Sequence, residues 1–459
     1  PGHPVSTIRH PRHQGGKRGR RLALQGLLLL AAAGAAVAAP PEGAGWPQWR
    51  GPGGNGFAPG ADPPLTWSEA ENVRWKVPVP GRGLSTPVVW GDRVFLTTAV
   101  PHGEALKITA SHVDGAHDNL APERRQRFLV LALDARTGRT LWERAVSDEV
   151  PHEATHTTGS WASASPVTDG EVLIASFGSR GIFALDLDGS PLWQVDLGDM
   201  QIRHAHGEGS SPALHGDTVV VSWDHQGDSF VVALNRRTGE QRWRRSRDEI
   251  TSWSSPRIVE HEGKAQVILA ATKRVRSYDL ETGETLWEVG GLSRNVVATP
   301  VATEGLAFVA NSYDWRAMLA IRLSARGDLT GTPAVVWTRD RDTPYVPSPA
   351  LADGMLCFIK HLQNVLTCVE AATGKVRFGP RRLPGVQGVF ASPVIADGRI
   401  YVPGRNGVTS VVDLSEPYGT LATNRLDDSF SASPAVVDRA IFLRGEASLY
   451  RIEEPAARP

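Results

Sequence analysis

Histidine, carboxylate and cysteine positions are where this sequence could do chemistry. Residues 152–156 read His-Glu-Ala-Thr-His, the string in which two His one helical turn apart hold zinc and the Glu works on bound water. That chemistry needs a helix to bring both rings to one face. Pro151 precedes the string, and Thr155, Thr157 and Thr158 crowd it with β-branched side chains, so a loop and a chance match are expected. His204, His206 and Glu208 could make a loop metal site, although hydrogen bonding around a polar channel mouth is the simpler account. Asp224, His225 and Asp228 could offer ligands to Ca²⁺, but no calcium-loop spacing accompanies them. No nucleophile elbow, phosphate loop or dinucleotide fingerprint is present.

The two cysteines, Cys357 and Cys368, fall on two short apolar runs, MLCFIK and VLTCVE. If His361–Asn364 is the turn between them, the two Cys stand opposite each other. A cross-strand disulfide and two buried free thiols are both open on this reading.

The elements that would hold these residues repeat. Ser165–Leu197 reads as four short strands separated by turns: SPVT, EVLIASF, GIFALDL and PLWQVDL. A Ser/Thr-Pro marker opens the first strand at Pro87, Pro166, Pro212, Pro256, Pro300, Pro349, Pro393 and Pro434, a period near 44 residues. Such a period signals an array of supersecondary units. A Pro opening a strand gives up no ladder bond. A Trp marks the fourth strand at Trp142, Trp193, Trp243, Trp287 and Trp337, with Phe378 in its place later and a degenerate strand near Leu421–Leu426. We expect these aromatics to pack between units, each contributing roughly 1.5–3 kcal/mol of burial.

Eight first strands require eight fourth strands. The last unit, from Ser433, ends at Ile452 after three. The missing strand is expected upstream, in Asn72–Val77 with its own Trp75, so that the N-terminal strand completes the C-terminal sheet and seals a ring. The predicted fold is therefore all-β: an eight-bladed propeller of four-stranded antiparallel blades over residues 72–453, with a tail at 454–459.

A ring of this kind has unlike faces. Loops joining strands one to two and three to four are tight here. The others are long and chemically rich, and nine of the 11 His after residue 38 fall among them. Function concentrates on loops held by a rigid scaffold. The candidate binding residues are His156, Trp161, Arg203, His204, Glu208, Asp224, His225, Trp253, Tyr345 and Phe430.

Residues 1–38 combine six Lys/Arg with an apolar stretch at Leu22–Ala38, and Ala36-Val37-Ala38 suits cleavage. We read a secretory signal and expect a periplasmic or secreted protein with no membrane span after cleavage. Residues 39–71, with WPQWR at 46–50, are expected to form a strap lying on the ring. Without residues 1–38 the chain has 43 basic and 49 acidic residues, which argues against nucleic acid as a partner.

The unit SPVTDGEVLIASFGSRGIFALDLDGSPLW resembles the repeat of pyrroloquinoline-quinone-type propellers, over roughly Trp67 to Glu453. Within that superfamily it is similar to the BamB-like proteins. The resemblance implies one of two roles. Quinoprotein alcohol dehydrogenases bind quinone and Ca²⁺ under a pair of adjacent Cys; no such pair exists here. BamB-like proteins use the ring without cofactor as a protein-binding platform in outer-membrane assembly, although no lipidation Cys follows the cleavage site. The expectation is a non-catalytic, monomeric binding platform of the cell envelope for a protein or other envelope ligand, without quinone or Ca²⁺; the alternative is a quinone- or metal-dependent oxidoreductase on the loop-rich face.

Overall fold

The computed structural model describes residues 45–107, 115–303 and 305–455. The stretch read as a secretory signal, residues 1–38, and the start of the expected strap lie outside the described residues. Eight antiparallel sheets form eight blades. Blade 2 has strands Val167–Thr168, Leu173–Ser176, Ile182–Leu185 and Pro191–Val195. Every inner strand starts directly after a Ser/Thr-Pro marker, from Val88–Trp90 in blade 1 to Ala435–Val437 in blade 8. Among the described residues no helix is long and apolar enough to cross a membrane.

The core lies between blades, because each sheet has two faces to cover. One buried cluster joins Ile174 and Ile182 of blade 2 to Val219 and Val232 of blade 3. Another joins Cys357 and Leu366 of blade 6 to Ile400 and Val412 of blade 7. Cys357 and Cys368 are directly opposed on neighbouring strands, with Cα atoms 4.0 Å and sulfurs 2.08 Å apart.

The outer Trp and the Thr-Gly turn are halves of one joint. The indole of each marked strand lies on the turn glycine of the next blade: Trp75 on Gly138, Trp193 on Gly239, Trp243 on Gly283 and Trp337 on Gly374. Its Nε1 donates to a carbonyl just beyond, such as Arg236 O at 2.8 Å from Trp193 and Leu280 O at 2.9 Å from Trp243. Trp287 departs from this rule. The next blade has an insertion where the glycine turn would be, and Gly327–Asp328 of that insertion pairs parallel with Trp287–Glu288. The buried indole therefore turns to Gln266 Oε1 of its own blade, 3.1 Å away. Blade 4 gains a fifth strand in this way, and blade 1 gains one from Gly45–Trp46.

Val73–Pro78 pairs antiparallel with Ser448–Ile452, Lys76 facing Tyr450, and completes blade 8. The ring is closed by its two ends, with Trp75 Nε1 donating to Ala135 O of blade 1 at 3.1 Å.

Residues 45–67 cross the face of tight turns. Pro47 O accepts from Thr168 N, Asn55 bonds both backbone groups of Ala302, Ala58 N donates to Ile395 O, and Asp62 N donates to Asp438 O. These partners sit at the far ends of the inner strands of blades 2, 5, 7 and 8. The segment thus spans the channel end. Arg50, fully buried, reaches up to the carbonyls of Pro349 and Pro393, 2.5 and 3.0 Å away.

Candidate functional site

The Ser/Thr of each marker has a second task. The amide of Thr86 donates to Ser165 Oγ, that of Ser165 to Ser211 Oγ, and that of Ser211 to Ser255 Oγ, each at 2.9 Å. The series continues through Thr299, Ser348 and Ser392 to Ser433 at 2.9–3.3 Å. Inner strands of neighbouring blades are thereby tied hydroxyl to amide around the axis. Thr86 Oγ1, the member that would receive the next bond, is buried without a partner.

This belt walls a cavity of about 410 Å³. Trp49 of the strap is its floor, with Nε1 3.0 Å from Thr299 Oγ1. Chain alternation places a second tier two residues before each belt residue. Blades 4–7 contribute Trp253, Val297, Val346 and Phe390, an apolar half; blades 8, 2 and 3 contribute Ser431, Ser163 and Gly209. Since the strap covers the tight-turn end, the cavity is a funnel opening through the long loops.

Four His rings cluster at the lip of blades 1–3. His156 and His206 have centroids 4.5 Å apart, and His117 lies 4.9 Å from His206 and 4.7 Å from His204. Their nitrogens are largely engaged: His156 Nδ1 with Thr158 Oγ1 at 2.7 Å, His206 Nε2 with His117 O at 3.1 Å, and His204 Nδ1 with Gly115 O at 2.9 Å. Burial lowers the pKa of His156 and His204 and takes His206 down to about 4, so these rings are held neutral. Among the described residues no three His, Cys, Asp or Glu converge on a point where a metal could sit.

Among the described residues Glu208 is the one carboxylate lining the funnel. Burial raises its pKa, against the hydrogen bonds its two oxygens accept from the amide and hydroxyl of Ser179. Trp253 and Tyr345 also line the funnel; Trp253 Nε1 donates to Gly207 O at 2.7 Å, and Tyr345 stacks on His361 with centroids 5.0 Å apart. Arg203 and His204 share a short 3₁₀ turn beside the lip, and Arg203 Nε is 3.0 Å from His204 Nε2.

The other nominated residues lie outside the funnel. Asp224 is fully buried in a two-pronged pair with Arg247, at 2.7 and 3.0 Å. His225 Nδ1 accepts from Gln201 N at 3.0 Å. Trp161 packs between blades 1 and 2 and donates to Glu153 O at 3.0 Å. Phe430 is buried edge-on against Tyr450. Residues 152–156 form no helix: His152 Nε2 meets Met200 O at 2.7 Å and Glu153 accepts from Ile202 N at 3.0 Å. The belt hydroxyls and Trp49 were not singled out from sequence. The signal was present in the marker, whose Ser/Thr recurs as faithfully as its Pro.

Comparison with known proteins agrees with this architecture. The chain is 30% identical over 144 residues to methanol dehydrogenase [cytochrome c] subunit 1 of Methylobacterium organophilum, covering 26% of this chain and 22% of that one. It is 27% identical over 210 residues to outer membrane protein assembly factor BamB of Burkholderia pseudomallei, covering 45% and 42%. The chain thus matches less than half the length of these relatives. In structure it is similar to BamB from Moraxella catarrhalis, with TM-score 0.54, 12% identity and coverage of 83% and 99%. It is also similar to a europium-containing methanol dehydrogenase, with TM-score 0.59, 10% identity and coverage of 89% of each chain. At these identities the structural likeness speaks for the fold alone. The family described as outer membrane protein assembly factor BamB matches residues 126–379, more than half of the chain, and with its eight closed blades the chain belongs to that family.

Proposed function

We propose that this protein is a binding platform of the bacterial envelope, engaging a protein or other ligand at the open mouth of its funnel without catalysis. The observation that carries this reading is the closed lower end. The chain spends its own segment 45–67 on covering one side, so among the described residues the axis opens through the long loops. At that mouth Tyr313 and Trp315 are 39% and 54% exposed, large aromatic surface of the kind that anchors partners. The named role of its BamB relative, assembly in the outer membrane, suits a platform.

The methanol dehydrogenase relatives favour a second reading, an oxidoreductase on the same face. The donor set supports the first. The oxygens of Glu208 are taken by Ser179, Asp224 is paired with Arg247, and Cys357 and Cys368 face each other deep in blade 6 rather than over the axis. These residues do not fit a quinone with a bound metal.

A photo-cross-linking residue at position 315, compared with one at Asp397 on the tight-turn face, tests the platform in envelope membranes. Adducts specific to position 315, lost when Tyr313 is changed to Ala, are expected. Equal labelling from both faces would remove the case for a single active face. Stoichiometric quinone uptake with alcohol turnover would favour the rival.

A further inference from the structure

Hydrogen-bond donors and positive charge dominate this funnel. Every belt hydroxyl but that of Thr86 accepts an amide N–H, yet none gives its own proton to any group among the described residues. The belt is therefore a ring of O–H donors without an acceptor among the described residues. Ser431 Oγ, one tier higher, is likewise buried and unpartnered. Buried polar groups in native proteins are satisfied, so a ring of idle donors asks for an acceptor.

The charges around it are weighted toward arginine, with Asp118 and Asp314 the acids that act on the lip. Arg50 bonds the carbonyls that directly follow the belt residues Ser348 and Ser392, placing a buried guanidinium just beneath the belt. It has no carboxylate partner among the described residues, and burial pulls its pKa down to about 9. Higher up, Arg82 and Arg405 act electrostatically on His156, Arg203 and Arg294 on His204, and Arg316 on His361, so arginines of blades 1, 3, 5 and 7 surround the lip. Arg294 is offset by Asp314 and Arg405 by Glu446. Arg82, Arg203 and Arg316 make no close ion pair among the described residues, although Arg203 feels the charge of Asp314. Among the described residues the only acid lining the funnel, Glu208, is driven toward its neutral form by burial. This positive mouth stands on a chain whose acids outnumber its bases after residue 38. An uncompensated buried cation is costly, and an anion seated above it offsets that cost.

We propose that the hydroxyl belt is a carboxylate-binding site, taking the anionic end of a ligand whose apolar part lies against Trp253, Val297, Val346 and Phe390. The belt supplies O–H donors to the carboxylate oxygens, while Arg50 supplies charge from below without direct contact. The lip arginines steer the anion inward. The shared chemistry is a carboxylate on an apolar group, carried either by a free small acid or by the C-terminus of a polypeptide. This inference rests on the funnel being the binding face.

Calorimetry on the full-length protein, with tryptophan fluorescence as a second readout, tests it. The probes are 4-phenylbutyrate against 4-phenylbutyramide, and an uncharged pentapeptide ending in leucine with a free or an amidated C-terminus. In at least one pair the acid is expected to bind about tenfold more tightly than its amide. That preference should shrink several-fold at 0.5 M salt and in Arg82→Gln/Arg316→Gln, a pair of changes at the lip outside the packed core. Ser211→Ala should weaken the acid and leave the amide unchanged. Preference in only one pair identifies the source of the carboxylate. Equal binding of acid and amide, or no binding by any probe, overturns the proposal. Where cross-linking from position 315 persists in that case, the platform reading survives and only the ligand chemistry falls. Loss of both removes both.

Discussion

The indole of Trp142 lies directly on Gly189 of the next blade, where an added Cβ would sit 2.7 Å from Cδ2 of the ring. The same indole donates to Leu187 O at 3.0 Å, so one side chain fills the space and satisfies the turn. Gly189→Ala forces these surfaces apart at a position whose φ of +86° already disfavours a side chain. Overpacking and backbone strain together should cost about 2–4 kcal/mol. Gly216→Ala has open space around its Cβ and should cost only the left-handed penalty of about 1 kcal/mol. Thermal melts of the two variants side by side check the ranking; equal shifts would show that the joint is loose.

Asp224 and Arg247 provide a second test. Both are buried, and Arg247 also donates to the Tyr278 hydroxyl at 2.6 Å. Asp224→Ala leaves a buried guanidinium without its anion and should destabilise by about 3–5 kcal/mol. Binding at the funnel should be unchanged once the protein is folded. A fall in affinity at constant stability would return Asp224 to the site.

The bond between Cys357 and Cys368 closes a short loop, with a sequence separation of 11. A cross-link of that size contributes about 2–4 kcal/mol, chiefly through the unfolded chain. Cys357→Ala/Cys368→Ala should lower the melting temperature, while the blade persists because its neighbours Leu366, Ile400 and Val412 still pack. Mass analysis without reductant should find the native protein two hydrogens lighter than the reduced form.

The His cluster predicts an acid sensitivity. His206 titrates near 4 in the folded protein, because burial and neighbouring His disfavour its charge; an unfolded His titrates near 6.5. Below pH 6.5 the unfolded chain takes up a proton that the folded ring refuses. Stability should therefore be complete above about 6.5, decline as pH falls toward 4, and level off below. His156 and His204, also lowered by burial, add in the same direction. Melting temperatures from pH 7.5 to 4.5 should fall less in His206→Gln than in the wild type.

The blade count, ring closure and the unlike faces were legible in the sequence, because the Ser/Thr-Pro and Trp markers are local signals that recur. Trp75 could be assigned to the seam from the count of strands alone. The funnel was less legible. His156, Glu208, Trp253 and Tyr345 reach it, but Asp224 and Phe430 come from similar loops and turn into the packing. Two extended residues can differ only in the side they present, and no local pattern in an irregular loop fixes that side. Trp49 was hidden for another reason: its partner Thr299 is 250 residues away.

The seam gives the last prediction. All eight blade-to-blade junctions are backed by continuous chain, residues 79–87 joining blade 8 to blade 1, whereas inside blade 8 Val73–Pro78 and Ser448–Ile452 meet only through ladder bonds and side chains. Trp75 supplies packing on Phe442, 6.0 Å between centroids, and the bond to Ala135 O across to blade 1. Trp193 makes the equivalent joint in mid-ring. Truncating either indole to Ala should remove comparable burial, about 2–4 kcal/mol for these partly buried side chains. The consequences should differ in place. Loss of Trp193 should loosen a joint whose two blades remain tethered, leaving exchange of its backbone amides governed by global unfolding. Loss of Trp75 should let the N-terminal strand detach locally, because nothing covalent returns it to register. Hydrogen exchange should therefore quicken at 73–78 and 448–452 in Trp75→Ala before the rest of the ring responds. Uniform acceleration across all blades would mean that the seam is no weaker than any other junction.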